Sequence, residues 1–132
     1  MPRFNFRFAV ASGLLFLLSA CASGEGGGIS GDHQPANFIP AGPLAPKMLL
    51  GVVPDALSAR LGTPDFKRVE PIGAEVWQYS GGACNLFVYF YPNNHGVLDS
   101  TYVDARETRG GKASAAHCLD EVQRRRESIP VS

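Results

Sequence analysis

The chain has 132 residues, enough for one small domain, and its apolar fraction of 45% is ordinary for a globular protein. Its 12 basic and 12 acidic side chains balance, so the strongly basic charge typical of nucleic-acid-binding proteins is absent. We therefore expect no nucleic-acid partner.

The N-terminus has the pattern of a secretory signal peptide. An apolar run of about 12 residues ends in Ser19 and Ala20, whereas a membrane-spanning helix needs roughly 20. Arg3 and Arg7 precede this run. A basic start, a short apolar segment and small residues at the exit favour a cleaved signal over residues 1–20, rather than a transmembrane anchor or a core helix.

The sequence Leu18-Ser19-Ala20-Cys21 resembles the bacterial lipobox. The resemblance implies cleavage before Cys21 and lipidation of that cysteine. Each acyl CH₂ contributes about 0.8 kcal/mol to insertion, so several chains give a lasting membrane anchor. Ala22, where an Asp would retain an enteric lipoprotein at the inner membrane, implies transport to the outer membrane. The alternative is an ordinary signal peptide in which Cys21 has no special role.

Residues 21–46 are expected to form a lipidated cysteine followed by a flexible tether. Ten of the 25 residues from 22 to 46 are Gly or Pro. Such a composition buries too little apolar surface to offset its chain entropy.

The folded domain is predicted over residues 47–132, beginning with short helices. Leu57 and Leu61 are one helical turn apart, Pro54 suits a first helical position, and Gly62 suits the position just after the helix. Four runs rich in Val, Tyr, Phe and Trp then predict strands: FKRVEPI, AEVWQYS, CNLFVYFYP and GVLDSTYVDA.

Short Gly- and Asn-containing turns between these runs favour an antiparallel meander. The final segment, SAAHCLDEVQRRRES, has an apolar stripe at helical spacing and Ser114 at its capping position. We therefore predict an α+β, two-layer fold: short N-terminal helices packed on a sheet of three to four antiparallel strands, plus a C-terminal helix.

Cys84 and Cys118 are predicted to form a disulfide. An exported protein is in an oxidising compartment, and lipid on Cys21 leaves these two cysteines to pair. The bond would close a loop of 35 residues and stabilise the fold by about 3–4 kcal/mol. The alternative is a free, reactive Cys84 or Cys118.

Alternation along the third strand predicts which side chains lie on the open face of the sheet. If Cys84 points towards the helix, the alternate residues Leu86, Val88 and Phe90 point the same way. Three aromatic side chains then form a candidate binding surface on the other face: Phe87, Tyr89 and Tyr91. The alternative is that loops or the tether cover this face, or that these side chains only line a half-exposed sheet.

No catalytic motif is found, so we expect no enzyme activity, no cofactor and no metal. His95 is in a predicted turn and His117 is on a helix, while Asp99 and Asp104 are predicted on opposite faces of their strand. A zinc site made of His95 and the two domain cysteines lacks recognisable ligand spacing and competes with the disulfide. The third histidine, His33, is in the tether.

Three consecutive arginines, Arg124 to Arg126, lie near the end of the C-terminal helix. Cations at this position complement the helix dipole, which favours a structural role. The alternative is contact with anionic headgroups or an acidic partner.

Seven residues in the region from Leu49 to Val103 form a recognisable pattern: Gly51, Leu57, Leu61, Gly62, Pro64, Trp77 and Tyr79. With these residues, the lipobox and the tether, the chain resembles the SmpA/OmlA family of small outer-membrane lipoproteins, which are similar to the BamE-type subunit of the β-barrel assembly machinery. The resemblance implies two helices on a three-stranded antiparallel sheet and a non-enzymatic role through protein or lipid contacts. The cysteine pair and the C-terminal helix depart from this pattern.

The expected function is thus that of a lipid-anchored envelope protein, facing the periplasm from the outer membrane. Its domain would bind an outer-membrane or periplasmic protein, in barrel assembly or envelope integrity. An inhibitor-like module acting on a periplasmic or extracellular enzyme is the alternative.

Overall fold

A computed structural model describes residues 36–129 of the chain. The predicted signal peptide, Cys21, His33 and most of the predicted tether lie outside the described residues.

The described residues form an α+β domain, which confirms the predicted fold class. A 3₁₀ turn is followed by a helix, four strands and a long C-terminal helix. In chain order these are the 3₁₀ turn Pro46–Leu49, α1 (Pro54–Leu61), β1 (Phe66–Val69), β2 (Glu75–Ser80), β3 (Cys84–Pro92), β4 (Leu98–Glu107) and α2 (Ala115–Glu127).

The four strands form one antiparallel sheet in the order β1-β2-β3-β4, as expected for a meander. Tight turns join neighbouring strands, and the turns that follow β1 and β3 contain Gly73 and Gly96, with φ of 81° and 74°. These are left-handed conformations that glycine adopts without steric cost. The Gly73 N–H donates to the Glu70 carbonyl at 2.9 Å, which closes the first turn.

The helical segments and one face of the sheet share a single core. Leu57 and Leu61 of α1 and Leu119 of α2 are buried together with Leu86 and Val88 of β3. The Ser114 hydroxyl accepts a hydrogen bond from the His117 N–H, so the predicted cap starts α2 where the sequence indicated.

The fold extends further towards the N-terminus than the predicted start at Lys47. Ile39 is buried in the core, and the Ala36 N–H donates to the Gly51 carbonyl at 2.6 Å. The Leu44 N–H donates to the Gln123 side-chain oxygen of α2 at 3.1 Å. Residues 36–46 therefore belong to the domain, although isolated apolar residues in a Gly/Pro-rich stretch give no periodic signal.

A β-bulge changes the direction of side chains in β4. Between the positions paired with Tyr89 and Phe90, β4 contains one extra residue, Thr101. Asp99 and Asp104 consequently lie on the same face of the sheet, and their predicted placement on opposite faces is wrong. Their partners, Tyr91 and Phe87, are four positions or about 13 Å apart along β3, so the two aspartates form no carboxylate pair.

Candidate binding surface

The two faces of β3 have opposite exposure. Its inward residues, Cys84, Leu86, Val88 and Phe90, are at most 3% exposed. The alternate side chains lie on the other face: Phe87 and Tyr89 are half-buried and Tyr91 is 43% exposed. Within residues 36–129, the helices contribute to the core on the inward face only.

Neighbouring strands enlarge this outer face. Tyr102 of β4 is paired with Tyr89, their ring centroids lie 5.5 Å apart, and Tyr102 is 57% exposed. Phe66 of β1 is on the same face, because it is paired with Gln78, which is paired with Phe87. We call this surface the aromatic face; it consists of Phe66, Phe87, Tyr89, Tyr91 and Tyr102.

Sequence reasoning identified the three aromatic residues of β3 but missed Phe66 and Tyr102. Both are large apolar residues in predicted strands, which was the available signal. Their face depends on pairing register, and for Tyr102 also on the bulge.

A charged pair borders the aromatic face. The Arg106 Nε donates to the Asp104 Oδ2 at 3.0 Å, and in the ladder to β3 Asp104 is paired with Phe87 and Arg106 with Asn85. Partial burial, followed by the nearby Asp104 carboxylate, raises the pKa of the Tyr89 hydroxyl. Tyr89 therefore presents a neutral hydroxyl that can donate or accept hydrogen bonds at physiological pH.

Trp77 is a core residue and does not belong to this surface. It is 5% exposed, its ring centroid lies 5.0 Å from that of Phe90, and its Nε1 donates to the Glu75 carboxylate at 2.7 Å. The indole is thus buried with its polar group satisfied.

Cys84 and Cys118 are joined by a disulfide, with Cα atoms 5.8 Å apart. The bond connects the start of β3 to α2, and both residues are buried. A shallow cleft of about 670 Å³ lies beside it, lined by residues that include Arg109, Lys112 and His117.

The two histidines within residues 36–129 lie in different parts of the fold. The His117 Nε2 lies 3.0 Å from the Glu121 Oε1, one turn further along α2, whereas His95 is exposed in the turn after β3. Among residues 36–129, no three His, Cys, Asp or Glu side chains are grouped to hold a metal ion. Both cysteines of the conceivable zinc site are in the disulfide, and β3 separates them from His95.

The three arginines of α2 contact groups of their own domain. Arg124 pairs with Asp120 at 3.1 Å, and Arg125 donates to the Ser80 carbonyl at 3.1 Å. Arg126 pairs with Asp65 at 2.9 Å. These contacts favour the structural role over a free cationic cluster.

Comparison of the chain with protein-family models, curated proteins and solved structures finds no match. In the part of the chain that the structure describes, no helix is long and apolar enough to cross a bilayer.

Proposed function

We propose that this protein is a lipid-anchored, non-enzymatic binding module of the bacterial envelope. In this proposal Cys21 carries the lipid, the protein faces the periplasm from the outer membrane, and the aromatic face binds a protein partner. Two features of the sequence support the anchor: the lipobox-like residues Leu18 to Cys21, and the signal-like segment that precedes them.

The observation that carries the binding role is that an aromatic cluster is exposed on one face of the sheet, whereas the other face is buried in the core. Tyr102 is 57% exposed and Tyr91 43% exposed, although the same sheet buries Phe90 completely. Tyr side chains combine a large apolar ring with a polar end and are enriched at interface centres.

Membership of the SmpA/OmlA family, and with it a role in barrel assembly or envelope integrity, is part of the proposal. The helices packed on an antiparallel meander support it, and so do Trp77 and Tyr79, which both lie in the core of this domain. The fourth strand, the disulfide and α2 extend beyond the pattern that the resemblance implies.

Site-specific photo-crosslinking of the full-length protein in its cells tests the binding role. We expect a photoreactive residue at Tyr102 to capture a defined envelope protein. The same residue at Asp120, on the exposed side of α2, should capture little, because its side chain is 63% exposed but far from the sheet face. A further Tyr91→Ala substitution should lower capture at Tyr102 several-fold.

Equal capture from Tyr102 and Asp120, or none from Tyr102, would refute the aromatic face as the binding surface. Capture of a soluble enzyme instead, retained after Cys21→Ser removes the lipid, would establish the inhibitor-like alternative. The Cys21→Ser variant also tests the anchor, since it should move the protein from the membrane fraction to the soluble fraction.

A further inference from the structure

The two edges of the sheet differ in whether other segments of the domain pair with them. The outer edge of β4 is covered by the chain itself: the Gly51 N–H donates to the Ser100 carbonyl at 2.7 Å, and the Ala113 N–H donates to the Ala105 carbonyl at 3.0 Å. β1 forms the opposite edge, and within residues 36–129 no strand pairs with its outer side. All four of its residues are exposed.

The register shows which backbone groups of β1 point outwards. The Glu70 N–H donates to the Ala74 carbonyl at 2.8 Å, directly after the pair Val69–Glu75. Because hydrogen-bonded and non-hydrogen-bonded pairs alternate in an antiparallel ladder, Arg68 also faces β2 with its N–H and C=O. The N–H and C=O groups of Lys67 and Val69 therefore point away from the sheet, where an added strand would bind them.

The side chains along this edge are suited to a partner strand with acidic and apolar residues. Phe66 is 56% exposed on the aromatic face, and Val69 is 61% exposed on the other face. Lys67 and Arg68 place one cation on each face. They pair with Glu75 and Glu70, yet their side chains remain 45% and 64% exposed, so a second carboxylate can reach each of them.

A second copy of this chain is a poor occupant of the same edge. In a two-fold dimer formed by two antiparallel β1 strands, directly paired residues lie on the same face of the sheet. The two-fold axis must therefore pass beside one residue of β1, which is then paired with its own copy. The two central registers therefore place Lys67 opposite Lys67 or Arg68 opposite Arg68, and like charges directly opposite are destabilising. These cations protect the edge from self-association without blocking an acidic strand.

We propose that the β1 edge binds an extended segment of the protein partner as a fifth strand, with acidic side chains of that segment opposite Lys67 and Arg68. This inference rests on the proposed function, because it states how the partner held on the aromatic face is bound. Phe66 belongs to both the edge and that face, which makes the two surfaces continuous.

The experiment compares Val69→Pro with Val69→Ala in full-length protein that carries the photoreactive residue at Tyr102. Proline removes the outward N–H and leaves the ladder to β2 intact, whereas alanine shortens the side chain and keeps the N–H. We expect Val69→Pro to lower the yield of the captured partner by up to about tenfold, the upper end of the effect of losing one backbone hydrogen bond. Val69→Ala loses part of the apolar side chain but no hydrogen bond, so it should lower the yield clearly less than Val69→Pro does.

Three controls make the result decisive. The thermal midpoint of each variant shows whether it folds. If Val69→Pro does not fold, Arg68→Glu replaces it, and it should lower capture by a similar factor because it repels an acidic strand. A photoreactive residue at Phe66 should capture the same partner, and mass spectrometry should locate the attachment in a segment containing Asp or Glu.

Unchanged capture at Tyr102 in a folded Val69→Pro or Arg68→Glu variant would refute strand binding at the β1 edge, while the aromatic face would remain the binding surface. Attachment from Phe66 to a helical or non-acidic segment would also overturn it. Loss of capture at Tyr102 in the unsubstituted protein removes the proposed function, and the edge inference is then refuted with it.

Discussion

Removal of the disulfide should have a large effect on stability. Cys84 and Cys118 are separated by 34 residues, and the chain-entropy relation for a loop of that length gives about 4 kcal/mol at 25 °C. For a domain of this size, each kcal/mol shifts the thermal midpoint by about 4–8 °C. We therefore expect Cys84→Ala/Cys118→Ala to lower the free energy of unfolding by about 4 kcal/mol and the midpoint by about 15–30 °C.

Urea denaturation followed by circular dichroism measures this difference. All proteins carry Cys21→Ser, which excludes thiol exchange with the third cysteine and keeps the reference and the variant unlipidated. A reductant added to the double variant is the matched control, because it should have no effect where no disulfide remains. The same reductant should bring the reference protein down to the level of the double variant after it has been unfolded and refolded.

Two results would contradict this reasoning. Alkylation of two thiols in the folded, oxidised reference protein would show that the bond is not formed. A double variant within about 1 kcal/mol of the reference would show that the bond constrains the unfolded chain far less than its loop length indicates.

Three further predictions concern the core. Phe90→Ala should lower the free energy of unfolding, measured by urea denaturation, by about 3–5 kcal/mol because the ring is fully buried. Tyr91→Ala, on the exposed face, should lower it by less than about 1 kcal/mol, and equal losses would contradict the assignment of the two faces. Ser100→Ala should lower the free energy of unfolding by about 1–3 kcal/mol, because the buried Ser100 hydroxyl accepts a hydrogen bond from the Val52 N–H at 3.0 Å. An unchanged free energy would show that another acceptor replaces the hydroxyl. Burial holds the pKa of the Tyr79 hydroxyl well above the ordinary 10.0, so the unfolded chain loses this proton at a lower pH than the folded chain does. The free energy of unfolding should therefore fall by up to about 1.4 kcal/mol per pH unit above about pH 10. Tyr79→Phe should make this fall less steep, and an unchanged slope would refute the prediction.

The elements that local chemistry specifies were predicted correctly. Ser114 marks the start of α2, and Gly62 follows the end of α1 directly. With Cys84 directed towards the C-terminal helix by the predicted disulfide, the alternation of β3 placed Phe90 on the same, inward side, as the structure has it. Each of these features depends on neighbouring residues, so the sequence alone contains enough information.

The features that were missed depend on contacts distant in the chain. Thr101 has no local signal for a bulge, because the bulge is defined by the pairing of β4 with β3. Ile39 becomes a core residue only because α2 and the segment after the 3₁₀ turn fold against residues 36–46. The candidate surface was incomplete for the same reason, since Phe66 and Tyr102 join it through register.

The distribution of exposed apolar side chains connects the aromatic face with the β1 edge. Of the nine large hydrophobic residues exposed within residues 36–129, five lie on this face, along this edge or in the turn that follows it. They are Phe66, Val69, Ile72, Tyr91 and Tyr102. Isolated exposed hydrophobic residues are ordinary on protein surfaces, but a concentration on one face of a sheet and along its adjoining edge is typical of an interface. Because the helices cover the inward face of the sheet and the chain covers the outer edge of β4, this side is where a partner would bury the most apolar surface while also pairing with free backbone groups.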